Sequence, residues 1–150
     1  MRILIVCTGN LCRSPIAEHL FRRALAARFG VSEDQLAGRG WIVESAGTHA
    51  VDGLDMPENA KRALAEQGGR AVRHRARALV REMLMKADAI YPVAREHLDL
   101  ILSFAPDVKP KVRLLDPEQD IDDPMGLTPE DYRASARQIA RAVEAVVKEL

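Results

Sequence analysis

Two periods of apolar residues alternate along the chain. The aliphatic run Ile3-Leu4-Ile5-Val6 behind Arg2 predicts a strand over Arg2–Val6. From Pro15 to Phe29 the spacing becomes helical, with Ile16, Leu20 and Ala24 in one row, Phe21 and Leu25 beside it, and Gly30 as the stop. Trp41–Ser45 reads as a second strand. Pro57–Gln67 reads as a helix ended by Gly68-Gly69, with Pro57 suited to its first turn. A helix over Leu79–Ala87, a strand over Asp88–Val93, a helix over Ala94–Phe104 and a strand over Val112–Leu115 follow. Thr128-Pro129-Glu130-Asp131 opens a last helix with an N-cap, a proline in first position and acids in the first turn. Its stripe is Tyr132, Ala136, Ile139, Val143, Val146 and Leu150.

Strands that alternate with helices enter a parallel sheet through right-handed crossovers, and the helices cover both of its faces. No repeat, linker or low-complexity tract interrupts the pattern, so residues 1–150 are expected to form one α/β domain. Trp41 and the leucine and valine stripes are assigned to its core. Ligands in such sheets bind beyond the carboxyl ends of the strands. The segment from Cys7 to Ser14 leaves the first strand at that edge.

Charge narrows the classes. Lys plus Arg and Asp plus Glu both total 22, so the chain has no overall electrostatic footprint for nucleic acid or a membrane surface. The apolar run near the N-terminus is too short for a signal peptide, and a cytoplasmic, monomeric protein is expected. Two cysteines do not make a disulfide framework, and without a second pair they do not make a zinc site. Both lie in one short loop, CTGNLCRS.

That loop has the composition of an anion trap. Backbone N–H groups curled between Cys7 and Arg13 can point inward at a tetrahedral oxyanion, with the positive end of the next helix behind them. Gly9 permits close approach or an unusual backbone angle, Asn10 tolerates the left-handed region, and Pro15 lacks an N–H that a first helical turn leaves unused. Arg13 offers a planar fork to two oxygens. Such surroundings favour a thiolate at Cys7, with the Ser14 hydroxyl as donor to its sulfur. A nucleotide-binding loop would need Gly-Lys-Ser/Thr at its end, which is absent.

The string CTGNLCRSPIAE from Cys7 to Glu18 resembles the signature of the low-molecular-weight protein tyrosine phosphatases, C-x4-C-R-S with Gly-Asn inside it. SAGT at Ser45–Thr48, HRAR at His74–Arg77 and Asp123-Pro124 before the last helix follow in family order. The resemblance implies a four-stranded parallel sheet with the phosphate-binding loop after the first strand. It implies a cysteinyl-phosphate mechanism without metal or other cofactor, acting on a phosphorylated protein or peptide. Cys7, Arg13 and Asp123 are then catalytic, while Thr8, Gly9, Asn10, Leu11, Cys12 and Ser14 surround the phosphate. Ser45 and His74 join Asn10 and Ser14 in a network that holds the loop in shape, and the arginines flanking His74 are left exposed.

Thiolate attack needs an acid to protonate the leaving group. LLDPEQDIDDPMG offers Asp116, Asp120, Asp122 and Asp123, carboxylates crowded enough to raise one another's pKa. The residues alone leave the choice open. The resemblance selects Asp123, which precedes proline, and keeps Asp122 as the fallback. Met125 and Gly126 stand where aromatic residues wall the pocket in phosphotyrosine-specific members, so Met125 is the candidate wall. The Asp-Pro-x-Gly pattern is closer to bacterial members, some of which hydrolyse phosphoarginine, and these tend to have threonine at the position of Leu11. Phosphotyrosine is the expected substrate, with phosphoarginine as the alternative. Arsenate reduction with an external small thiol is a further alternative, since the same loop would cradle arsenate. Oxidised Cys7 is expected to be captured by Cys12. Tyr132 is placed too far into its helix to line the pocket, and His49 and His97 receive no role.

Overall fold

A computed structural model describes residues 1–70 and 74–150. Among these, three strands form a parallel sheet in the order β2-β1-β3, with β1 at Arg2–Cys7, β2 at Ile42–Gly47 and β3 at Ala89–Pro92. The fourth expected strand is a correction. Val112 makes a single parallel bridge to Ile90, and Arg113 and Leu115 donate to the carbonyls of Ile90 and Pro92, but no continuous strand forms. A 3-10 turn over Pro106–Lys111 precedes this segment and Asp116-Pro117 follows it, which leaves too few residues for a ladder.

Helices cover both faces, as expected. Ile3 and Ile5 point towards α1 (Arg13–Phe29), α2 (Glu58–Glu66) and α5 (Pro129–Lys148), where Phe21, Leu25, Leu64, Ile139 and Val143 are buried with them. Leu4 and Val6 point the other way, into a second cluster with Leu84 of α3 (Arg81–Lys86) and Ile101 of α4 (Arg95–Phe104). The central strand therefore has no polar interior position, the pattern of a parallel strand buried on both sides. Trp41 corrects another expectation: it is only half-buried, tilted against Phe29 with ring centroids 5.3 Å apart. No described helix is long and apolar enough to cross a membrane.

Two helix starts bear on the site. Helix α1 begins at Arg13, two residues before Pro15, yet the proline still falls among the first N–H positions that have no intrahelical acceptor. Its N-cap is Cys12, whose side chain makes no capping bond, so the first N–H groups of the helix remain available. Helix α5 starts as expected, with a reciprocal capping box between Thr128 and Asp131. Pro57 sits one place earlier than expected, at the N-cap of α2.

Candidate active site

Cys7 is the last residue of β1 and only 3% exposed. The chain turns at once, because Asn10 adopts a left-handed conformation with φ 55°. The unusual angle thus belongs to Asn10. Gly9 has no positive φ, and a Cβ there would meet only the Leu11 side chain, at 3.9 Å. The close approach sits across the sheet, at Gly47: a Cβ there would lie 2.4 Å from the Thr8 carbonyl oxygen and 2.9 Å from the Asn10 nitrogen. Thr48 and His49 beyond it donate their N–H groups to the carbonyls of Cys7 and Thr8, both at 2.9 Å. The end of β2 is therefore a template for the loop.

Side chains complete the turn, and their proton positions follow from one carboxylate. Glu18 can only accept, so the Ser45 hydroxyl 2.6 Å away donates to it. Ser45 then accepts from Asn10 Nδ2 at 2.9 Å, whose other proton goes to Ser14 Oγ at 2.8 Å. The Arg77 backbone N–H, donating to Asn10 Oδ1 at 3.0 Å, fixes the orientation of that amide. Ser14 is left with one proton to give, and its neighbour is Cys7 Sγ at 2.9 Å. The Asn10 N–H donates to the same sulfur at 3.2 Å. His74 Nε2–H donates to the Asn10 carbonyl at 2.7 Å and holds the turn from the far side. Two donors therefore converge on Cys7 Sγ.

At the mouth, Arg13 is nearly buried. Its Nη1 donates to the Ile121 carbonyl at 2.8 Å, and its Nη2 lies 3.4 Å from Thr8 Oγ1 and 3.5 Å from Asp123 Oδ2. Ile121 is buried and donates to the Val93 carbonyl, so the acid segment is fastened to the end of β3 and to the arginine together. Asp123 and Asp122 are now separated. Asp123, its side chain half exposed, faces Arg13 and accepts the Met125 N–H. Asp122 is held through its carbonyl by Ser135 and lines a groove of about 710 Å³ with Asp116, Glu118, Asp123 and Asp131.

Cys12 is buried with an intact thiol: burial, then the neighbouring Cys7, pushes its pKa up to about 12. Both cysteines are free. Tyr132 is buried in the core cluster. Its hydroxyl donates to Met125 Sδ at 3.8 Å, so it sits behind Met125, which is 43% exposed. Of the arginines around His74, Arg70, Arg75 and Arg77 are exposed as expected, and Arg73 lies outside the described residues. Gly47, Glu18, the Arg77 backbone, Tyr132 and His97 were not singled out by sequence for this site. The quoted SAGT string contained the signal for Gly47. Glu18 and Arg77 likewise close the quoted strings CTGNLCRSPIAE and HRAR, whereas Tyr132 and His97 had no local signal.

Residues 2–150 match the family model described as low molecular weight phosphotyrosine protein phosphatase. A protein-arginine-phosphatase of Geobacillus stearothermophilus is 33% identical over 99% of this chain and 95% of its own length. The low molecular weight protein-tyrosine-phosphatase Etp of Escherichia coli K12 is 30% identical over 99% and 93%. Among solved structures, the YwlE arginine phosphatase from Geobacillus stearothermophilus superposes with a TM-score of 0.84 at 32% identity, covering 99% of this chain and 91% of that one. The low molecular weight protein tyrosine phosphatase from T. tengcongensis gives 0.86 at 32% identity, covering 100% and 99%. With a thiol at the head of its loop, an arginine at the mouth and this match over nearly every residue, the chain belongs to the low molecular weight phosphotyrosine protein phosphatase family and is a cysteine-dependent phosphatase.

Proposed function

We propose that Cys7 is the nucleophile, Arg13 the phosphate clamp and Asp123 the acid and base of a phosphatase acting on protein phosphotyrosine. The observation that carries this reading is the directed set of hydrogen bonds ending on Cys7 Sγ, with Arg13 and Asp123 facing each other across the mouth. The thiolate attacks phosphorus and forms an S–P bond while the P–O bond to the tyrosine oxygen breaks. Asp123 gives that oxygen its proton. The carboxylate so formed takes a proton from water, the hydroxide oxygen attacks phosphorus, and the S–P bond breaks. Ser14 and the Asn10 N–H stabilise the departing sulfur. Arg13 and the N–H groups of the loop and of α1 balance charge on the phosphoryl oxygens.

A second reading, protein phosphoarginine, is favoured by the acidic groove beside Asp123, which suits a guanidinium leaving group. Leu11 speaks for the first reading, since its aliphatic side chain at the loop offers apolar contact to an aromatic ring. Met125 adds a sulfur contact of modest value. The test is kcat/KM on phosphotyrosine and phosphoarginine peptides for the wild type and Leu11→Thr, with arsenate plus small thiols as a separate arm. The wild type is expected to prefer phosphotyrosine, with a high KM, and the substitution to move the ratio towards phosphoarginine. A wild type already selective for phosphoarginine overturns the substrate assignment.

Cys7→Ser is expected to abolish turnover while retaining phosphate binding, because a hydroxyl in the same place ionises far less than a thiol. Rapid quench and mass spectrometry should find phosphate on Cys7. A phosphoryl adduct on any other residue defeats the assignment.

A further inference from the structure

His97 begins in the first turn of α4, on the opposite side of the sheet from α1, and its ring reaches the phosphate loop. It is 2% exposed, and its Nε2 lies 2.8 Å from Thr8 Oγ1. Its Nδ1 is buried without a hydrogen-bond partner among the described residues. Thr8 Oγ1 has a second neighbour, Arg13 Nη2 at 3.4 Å. Two side chains, from α1 and α4, therefore meet at one hydroxyl of the loop.

Proton positions decide what that hydroxyl does. Arginine carries only donors, so Thr8 Oγ1 accepts from it. Burial, then the Arg13 charge, lowers the His97 pKa to about 4 against the opposing pull of Glu96, Asp120 and Asp123, so the ring is neutral near pH 7 and holds one N–H. A proton on Nδ1 would leave a buried donor unpaired. A proton on Nε2 leaves only a bare lone pair there, the cheaper of two imperfect choices. Nε2–H thus donates to Thr8 Oγ1. With both acceptor positions of the oxygen taken, its own proton is the one left to give, and Thr8 is only half-buried.

We propose that His97 is a positioning residue of the phosphate loop: with Arg13 it occupies the acceptor sites of the Thr8 hydroxyl, so that Thr8 presents its proton to an oxygen of the bound phosphoryl group. This rests on the reading of the loop as a phosphoryl cradle. Thr8 then adds a neutral side-chain donor to the cation and the backbone N–H groups, and α4 becomes part of the site's support.

The experiment is a double-mutant cycle read by calorimetric titration with inorganic phosphate at pH 7. Thr8→Val and His97→Leu are each expected to weaken binding by about tenfold, the worth of one hydrogen bond to a charged group. The double variant should be within about twofold of either single variant, because coupled residues are not additive. His97→Gln, whose amide N–H replaces Nε2–H, should bring affinity back to within about threefold of the wild type. Unchanged affinity in Thr8→Val, or additive losses of about a hundredfold in the double variant, overturns the proposal. Should His97→Leu fail to fold, His97→Asn, whose amide is too short to reach Thr8, takes its place in the cycle. Phosphate binding needs no turnover, so the cycle judges His97 by itself. Hydrolysis that survives Cys7→Ser would overturn the catalytic reading separately.

Discussion

At Gly47 the missing side chain is a requirement set by backbone atoms, which cannot rotate away as a flexible side chain can. A Cβ would meet the Thr8 carbonyl and the Asn10 nitrogen, and moving either moves the turn that carries Cys7. Gly47→Ala should therefore lower stability by about 1–3 kcal/mol, the usual cost of overpacking, and weaken phosphate binding with it. Gly9→Ala, which meets only Leu11, should leave stability unchanged and show its effect in phosphate affinity alone. Urea unfolding with phosphate titration separates the two, and equal stability of Gly47→Ala and wild type would sink the argument. Asp123 carries a second residue-scale prediction. Asp123→Asn should lower kcat by roughly 10² to 10⁴-fold, less for substrates with good leaving groups, as expected of a positioned acid. Asp122, held through its carbonyl and facing the groove, should be nearly neutral as Asp122→Asn. The reverse ranking would place the acid one residue earlier.

Among the elements, what was legible in the sequence is what is local. The aliphatic run of β1, the loop after it and the helical spacing of α1 announce a strand, turn and helix within 29 residues, and the capping box of α5 lies in four. The fourth strand was not legible as absent, because Val112–Leu115 has strand-like residues and its shortness is imposed by the turn and the proline on either side. Contacts that cross the sheet carry no local period. Glu18 meets Ser45 across 27 residues, and Thr8 meets His97 across 89, so family resemblance could place Ser45 and His74 while His97 passed unnoticed. The same juncture of loop and helix gives a redox prediction. A sulfenic acid on Cys7 and the thiol of Cys12 condense to a disulfide with loss of water. Cys12 is held as a thiol, with a pKa of about 12, so capture is slow and competes with further oxidation. Brief peroxide treatment should inactivate reversibly with dithiol, whereas Cys12→Ser should lose activity irreversibly. Equal recovery in the two proteins would remove Cys12 from the chemistry.

For the whole molecule, the buried histidines set how stability responds to acid. His97, at about 4 in the folded chain against an ordinary 6.5, and His19, lowered chiefly by burial, are both held neutral by folding. The unfolded chain binds more protons than the folded one between those values, so stability is complete above pH 6.5 and falls as pH drops towards 4. For His97 the interval corresponds to roughly 3 kcal/mol at most, a large share of the stability of a domain this size. Asp55 acts lower: its bond from Lys61 holds it at about 2 against an ordinary 3.8, so its contribution is lost only below that ordinary value. Acid unfolding should thus come in two limbs, a histidine limb between pH 6.5 and 4 and a carboxylate limb beneath it. Urea unfolding at pH 7.5, 4.5 and 3 reads both. His97→Gln, with no titrating ring, should lose markedly less stability than the wild type between pH 7.5 and 4.5, and Asp55→Asn should flatten only the lower limb. Should wild type and His97→Gln lose equal stability in the upper interval, the neutral ring at Thr8 is not what the folded chain protects, and His97 would have to take up its proton as readily in the folded protein as in the unfolded chain.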